Sequence, residues 1–336
     1  MILSRTPHRI SFFGGGTDYP EYYLEHGGKT LGVTIDKYSY LNIRKLPPFF
    51  THKHRIVYSQ QENVNNFKDI KHPSVRETLQ YFDIKHGISI NHDGDIPARS
   101  GMGSSSAFTV GLVQALHALN GEIISKTALT KEAIYIEQNL IKENVGSQDQ
   151  TFAAHGGLNT IDFLQNGEIS VSPIIMKPHR MKMFQDNIML FFSGLSRTAS
   201  EIVKEQREKT NINIDNLNKM KELVDEAHTI LTDNSRDLQD FGRLLNQTWE
   251  LKKTLSSKIT NVELDSLYTK ALNAGAIGGK LLGAGGGGFM VFYVEKEHQN
   301  SVIQALEGYL HIPFKFDFEG SKIVIYEDED RNKNEL

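Results

Sequence analysis

Residues Asp95-Ile96-Pro97-Ala98-Arg99-Ser100-Gly101-Met102-Gly103-Ser104-Ser105-Ser106-Ala107 set a glycine/serine turn between a β-like stretch, Gly87 to His92, and a run in which Phe108, Leu112, Leu116 and Leu119 recur every three or four residues. The spacing predicts a strand, a tight turn and a helix from Ser105 to Leu119. Gly101 and Gly103 let the backbone turn with no Cβ in the way, and the serines then offer N–H groups and hydroxyls where the helix begins. Unpaired N–H groups and the positive end of the helix dipole favour an anion there, so Gly101, Met102, Gly103, Ser104, Ser105 and Ser106 read as a phosphate cradle. A plain capped helix would have the same sequence. The reading gains its weight from three further segments.

The first is Pro7-His8-Arg9-Ile10-Ser11-Phe12-Phe13-Gly14-Gly15-Gly16-Thr17-Asp18-Tyr19, a strand that carries Arg9 and ends in three glycines before Asp18. Asp18 suits a polyol, and equally an N-cap for the helix at Pro20-Glu21-Tyr22-Tyr23. The second is Glu137 to Gln150, where a helical glutamate is followed 12 residues later by Asp149 in a turn beyond Gly146. Two carboxylates so placed can divide metal binding from proton acceptance, as phosphoryl transfer requires, although a surface charge and a turn aspartate would read alike. The third is Gly278-Gly279-Lys280-Leu281-Leu282-Gly283-Ala284-Gly285-Gly286-Gly287-Gly288. Four consecutive glycines cost about 0.5–1 kcal/mol each against alanine in regular structure, which favours close backbone approach to a substrate or phosphate over a plain connector.

Two decoys fall away. Gly283, Gly285 and Gly288 satisfy G-x-G-x-x-G, but they stand between a helix and a strand, the reverse of the dinucleotide-binding order. Gly27-Gly28-Lys29-Thr30 ends like a P-loop, yet position 23 is Tyr and a strand follows.

With 336 residues the chain has room for two domains. A net charge of −4 gives no global pull toward nucleic acid or anionic membrane, so an anion must be held by local geometry. The absence of cysteine removes disulfides and thiolate chemistry, and the 13 histidines show no metal-ligand spacing. A cytoplasmic protein is expected, since the first residues are interrupted by Arg5, Pro7 and Arg9 and form no secretory core.

The patterns predict strands at Arg9–Phe13, Lys29–Ile35, Tyr38–Lys45 and Gly87–His92, and helices at Pro73–Phe82, Ser105–Leu119 and Lys126–Lys142. Pro47-Pro48 and the polar stretch Gln60–His72 mark a long loop, a candidate lid. The domain boundary falls in the polar, Pro-containing stretch between Lys177 and Asp186. Beyond it come the strand Asn187–Phe192, helices from Thr198 to Leu255 broken near Asn211 and Asp233, a helix Glu263–Ala274, the strand Phe289–Val294, a helix near Gln299–Tyr309 and a last strand Lys322–Tyr326.

Taken together, these segments resemble the GHMP kinases, the superfamily named for galactokinase, homoserine kinase, mevalonate kinase and phosphomevalonate kinase. Its three motifs fall in order at Pro7 to Asp18, Pro97 to Ala107 and Lys280 to Gly288. The resemblance implies an α+β fold of two domains: residues 1–180 like the second domain of ribosomal protein S5, and residues 181–336 ferredoxin-like, with ATP and substrate between. It implies ATP-dependent phosphoryl transfer to a small molecule, Mg²⁺ held by Ser105 and Glu137, and Asp149 as the base, kept ionised by Arg9. The spacing of Glu137 and Asp149 looks like the galactokinase branch, whose arginine and sugar-binding aspartate match Arg9 and Asp18. That branch carries Glu-His where this chain has Gly15-Gly16, which leaves room for a longer or differently configured sugar. Gly15, Gly16, Asp18, Gly285, Gly286 and Gly287 are thus candidates for binding a sugar phosphate. Its far phosphate needs a cation, for which Arg197 is the first candidate and Lys29 and Arg99 stand behind it. No nucleic-acid or membrane partner is expected.

Overall fold

The computed structural model describes residues 1–98, 100–194 and 199–327, so Arg99 and Arg197 lie outside the described residues. Among the described residues the strands form two sheets. The larger has nine strands, with the order Lys322–Tyr326, Ile2–Phe13, Gly28–Lys45, Ile88–Gly94, His54–Val57, Gln61–Val64; Phe316–Asp317 and Leu158–Phe163 also pair with Gly28–Lys45, and Ile169–Pro173 pairs with Leu158–Phe163. The smaller runs Leu310–His311, Ile188–Phe192, Phe289–Val294, Ala276–Leu281. Mixed helices and sheets in two layers make this an α+β protein, as the sequence leads one to expect.

The long central strand shows how the sequence works locally. Lys29–Ile35 and Tyr38–Lys45 are one strand, Gly28–Lys45, and not two. The polar pair Asp36-Lys37 that separates the apolar runs is taken up at a register shift, where Pro7 faces Tyr38 and His8 faces Ile35. Proline has no N–H to give to the ladder, so a bulge beside it is the natural place for two extra residues.

Three other expectations are corrected. The stretch Gln60–His72 is folded onto the sheet as a hairpin strand, Gln61–Val64, because the buried Glu62 carboxylate accepts from Lys71 N at 2.6 Å, His72 N at 3.2 Å and Tyr58 Oη at 2.9 Å. The helix from Lys126 keeps α geometry to Tyr135 and then widens into a π turn, Ile136–Ile141, that ends on Lys142 in the left-handed region (φ 61°). The connection expected at Lys177–Asp186 is itself a helix, Pro178–Asp186.

That helix belongs to both halves. Phe184 is edge-on to Phe12 and Phe241 at 5.8 and 4.7 Å, and Arg180 donates to the carbonyls of Ile230, Leu231 and Arg236. One apolar cluster runs from Ile10, Leu31 and Val33 of the large sheet to Val224, Leu244 and Val291 of the second half. The chain then returns, since Phe316–Asp317 and Lys322–Tyr326 pair with the central and N-terminal strands. A division at residue 180 thus separates the two sheets but leaves these last strands with the first half.

Candidate active site

After the strand Ile88–Gly94, an inner strand of the large sheet, the chain passes through a turn into the helix Ser104–Leu119. Gly101 and Gly103 hold φ of 81° and 73°, which only glycine adopts without strain. A Cβ on Gly101 would stand 2.6 Å from Leu282 O, so this turn and the second glycine loop are in backbone contact. No side chain caps the first turn of the helix, which leaves its N–H groups free for a ligand. Ser104 is half-buried, Ser105 exposed and Ser106 buried, while the Met102 side chain lies in the core and its carbonyl accepts from Arg9 N at 3.2 Å.

Arg9 and Asp149 form a fork. Arg9 Nε donates to Asp149 Oδ1 at 2.8 Å and Nη2 to Oδ2 at 2.9 Å, while Nη1 donates to Gly101 O at 2.7 Å. Two parallel charge-assisted bonds fix both side chains, and the third ties the fork to the cradle. Asp149 stands in the first turn of the helix Gln148–His155, beside Gly103, whose Cβ would lie 3.4 Å from its carboxylate.

Asp18 is buried behind them. Its Oδ1 accepts from Gly16 N at 3.0 Å and its Oδ2 from Gln148 N at 3.3 Å, and burial, reinforced by Asp149, pushes its carboxyl up to about 6. It is not the N-cap of the helix Pro20–His26, a position that falls to Tyr19 without a side-chain bond.

Glu137 sits on the π turn, fully buried. Its Oε2 accepts from Ser106 Oγ at 2.8 Å and from Gln150 Nε2, and its Oε1 has no partner. Burial pushes this carboxyl up to about 7, with the nearby Thr109 and Ser106 hydroxyls holding it from rising further. The hydroxyl on Glu137 is therefore that of Ser106, one residue on from Ser105. Ser106 heads a second apolar stripe with Val110 and Val113 that packs on Leu129, Ala133 and Ile136.

Arg9, Asp149 and Asp18 meet at a cavity of about 170 Å³ whose walls come from both halves of the chain; Gly101 and Gly103 of the cradle reach it, whereas Ser104, Ser105, Ser106 and Glu137 are not among its lining residues. Gly15, Gly16, Asp18, Arg9 and Asp149 line one side and Lys252, Lys280, Gly283 and Ala284 the other. Gly285, Gly286 and Gly287 are not among the lining residues. The Gly286 amide donates to Ile259 O at 2.9 Å, and a Cβ on Gly285 would come within 2.8 Å of Ile259 Cα. The glycine loop is also shorter than its sequence suggests, because Ala276–Leu281 is a strand. Lys29 lines no part of this cavity and is held by Asp225 at 2.6 Å and Asp162 at 3.4 Å.

Two buried lysines were missed by sequence reasoning. Lys280 Nζ donates to Ser11 O at 3.0 Å and Phe12 O at 2.8 Å, and burial with Lys252 and Arg9 nearby holds it well below the usual lysine range. Lys252 Nζ donates to Leu281 O at 2.8 Å and to Gly283 O, and burial, with Arg9 nearby, lowers it to about 7. A signal existed for Lys252: it continues the apolar stripe Leu245, Thr248, Trp249 of the helix Gln239–Thr254, a position for a buried side chain.

A phosphate cradle, a forked Arg–carboxylate pair and an acceptor cavity between two α+β halves define a small-molecule phosphotransferase. The chain belongs to the GHMP kinases: the N-terminal domain of that family matches residues 70–157 and its C-terminal domain residues 220–311. It is a sugar kinase. The chain is 29% identical over 344 residues to D-glycero-alpha-D-manno-heptose 7-phosphate kinase of Campylobacter jejuni, covering 96% of this chain and 98% of that protein. It is 26% identical to L-fucokinase/L-fucose-1-P guanylyltransferase of Bacteroides fragilis, over 90% of this chain and 35% of that longer protein. Among solved structures, a D-glycero-D-manno-heptose 1-phosphate kinase from Bacteroides thetaiotaomicron superposes with a TM-score of 0.79 at 24% identity, covering 97% of this chain and 100% of that one. That likeness is one of fold.

Proposed function

We propose that the protein transfers the γ-phosphoryl group of ATP to the C1 hydroxyl of D-glycero-D-manno-heptose 7-phosphate, giving the 1,7-bisphosphate. The observation that carries this reading is the Arg9–Asp149 fork at the wall of the cavity, tied through Gly101 O to the phosphate cradle. The cradle at Gly101–Ser106 seats the nucleotide phosphates on the free amides of the helix start. Asp149 accepts the acceptor's proton, and Arg9 keeps its carboxylate ionised and aimed. Asp18 holds a sugar hydroxyl beside Gly15 and Gly16, where missing side chains leave space for a seven-carbon sugar.

A nucleotide-bound Mg²⁺ fits this donor set. The unpartnered Oε1 of buried Glu137 is an acceptor left for a ligand, and one carboxylate with a serine hydroxyl suits an ion that keeps water and phosphate oxygens. Glu137 would hold the ion, with Ser105 or the Glu137-bound Ser106 as the hydroxyl partner. Bound there, Mg²⁺ would neutralise phosphate charge. Most of the acceleration comes from positioning and charge stabilisation by the chain's own groups.

The heptose is supported by the 29% identity over nearly the whole of both chains. The product would serve nucleotide-heptose synthesis for surface polysaccharide, in the cytoplasm. A kinase assay over a panel of sugars and sugar phosphates tests the reading, with phosphorus NMR locating the new phosphate. Heptose 7-phosphate should give the highest kcat/KM, well above the unphosphorylated heptose, and the new phosphate should be anomeric. Preference for fucose or galactose would instead make this another sugar-1-kinase, and ATP left untouched with every sugar would refute catalysis.

A further inference from the structure

Lys252 is the unassigned group with the most to explain. Its side chain enters the core from the helix Gln239–Thr254 and is 7% exposed. Two of its three N–H donors go to Leu281 O and Gly283 O. These carbonyls flank Leu282, whose own carbonyl abuts Gly101, and a Cβ on Gly283 would stand 2.4 Å from Gly101 Cα. Lys252 is thereby clamped directly behind the contact between the glycine loop and the phosphate cradle, and it lines the cavity with Arg9 and Asp149.

The charges around it decide its role. Arg9 is matched by Asp149, and Lys280 turns onto the carbonyls of Ser11 and Phe12 with 3% exposure. No carboxylate among the described residues pairs with Lys252. Burial, with Arg9 nearby, lowers this amine to about 7, so an anion that binds against it would restore its full charge and be held by it.

We propose that Lys252 is a catalytic residue whose remaining N–H donates to a non-bridging oxygen of the γ-phosphate and follows that phosphoryl group through transfer. The inference rests on the kinase reading but not on the identity of the sugar. As the acceptor oxygen forms its bond to the γ-phosphorus, the bond from that phosphorus to the β–γ bridging oxygen breaks. ADP leaves with the electron pair, the hydroxyl proton passes to Asp149, and Lys252 keeps its own proton. Arg9 and Lys280 lie close to this amine and Asp18 and Asp149 line the same cavity, and the added negative charge of the phosphate favours its protonated form.

The test compares a nucleotide with the γ-phosphate and one without it. Calorimetry with Mg²⁺ gives Kd for AMP-PNP and for ADP in the full-length wild type, in Lys252→Gln and in Lys252→Arg. Gln keeps amide donors for the two carbonyls and loses the charge, whereas Arg keeps both. Lys252→Gln should weaken AMP-PNP roughly 10- to 100-fold, as expected for one charge-assisted hydrogen bond, and weaken ADP less than about 3-fold. Lys252→Arg should keep most of the wild-type preference for AMP-PNP, and kcat should follow the same order. An equal loss for both nucleotides, or for neither, overturns the assignment. So does a folded Arg variant that has lost the preference. A raised KM for the sugar phosphate with nucleotide discrimination intact also overturns it, by assigning Lys252 to the acceptor's own phosphate. Wild-type protein that binds neither nucleotide refutes the kinase reading itself, an outcome distinct from these.

Discussion

Gly283→Ala is a substitution of one methyl group that should separate the two loops on which the active site depends. The added Cβ would lie 2.4 Å from Gly101 Cα and 3.1 Å from Gly101 O, with φ at 71°. Ordinary carbon contacts begin near 3.4 Å, so one loop must move by about 1 Å, and the obstacle is backbone that cannot rotate away. Gly101 O accepts from Arg9 Nη1 at 2.7 Å, and a displacement of that size carries it beyond hydrogen-bond range. The left-handed conformation adds about 1 kcal/mol of strain for alanine. A misplacement of about 1 Å at a reacting site is worth roughly 10²-fold in rate, so kcat should fall by about that factor, with about 1–3 kcal/mol lost from unfolding. Gly285→Ala is the control, because its Cβ meets Ile259 at 2.8 Å and not the cradle. It should lose similar stability and keep a kcat within about 3-fold of wild type, since its shift stays away from the reacting groups. ADP release and urea unfolding, measured on both variants, give the two numbers. A Gly283→Ala enzyme with wild-type kcat, or a Gly285→Ala enzyme equally slow, would refute the argument that contact between the loops sets the geometry.

Further outcomes follow from the same geometry. Asp149→Asn should lower kcat by about 10²–10⁴-fold, and it should also destabilise the protein by about 1–3 kcal/mol because Arg9 loses its charge partner, a value reduced by the 25% exposure of Asp149. Wild-type kcat in this variant would remove Asp149 from the chemistry. Ser106→Ala should raise the Mg²⁺ concentration for half-maximal rate about 10-fold, as the loss of a partner on a metal-binding carboxylate does, and the exposed Ser105→Ala should raise it less. The reverse order would return the hydroxyl role to Ser105. In acid, His8 is lowered from 6.5 to about 4, first by burial and then by Arg9 and His92, so it contributes stability above pH 6.5 that is lost as pH falls toward 4. The share is at most about 3 kcal/mol at 1.36 kcal/mol per pH unit. Asp18 and Glu137 run the other way, because their raised values make the neutral carboxyl the favoured one. His8→Gln should therefore flatten the acid limb relative to wild type in urea titrations between pH 7 and 4.5, and parallel limbs would exclude His8 as a source.

The sequence revealed the three loops because glycine and short polar residues state a backbone requirement that holds in any tertiary context. Gly101 needs a positive φ whether or not Leu282 is beside it. The phase of the helix after the cradle was harder to read. Phe108, Leu112 and Leu116 form one stripe, but the helix is buried on a second side through Ala107, Val110 and Val113, and that side carries Ser106 to Glu137. A single stripe of period 3.6 cannot reveal a helix packed on two faces, nor the π turn that sets where Glu137 points.

The polar core of the site was hidden for a different reason. The pairing of Arg9 with Asp149, 140 residues apart, was legible only through the family resemblance, and the bonds that hold Lys252 and Lys280 go to main-chain carbonyls, which every residue possesses and no sequence pattern distinguishes. What the sequence does show is the mismatch: a lysine at the next position of the stripe Leu245, Thr248, Trp249 is either an error in the helix phase or a charge placed inside on purpose. The buried position of Lys252 settles the phase. An amine kept inside against carbonyls, beside Gly101 and Gly283, is the feature that the AMP-PNP and ADP comparison puts to the test.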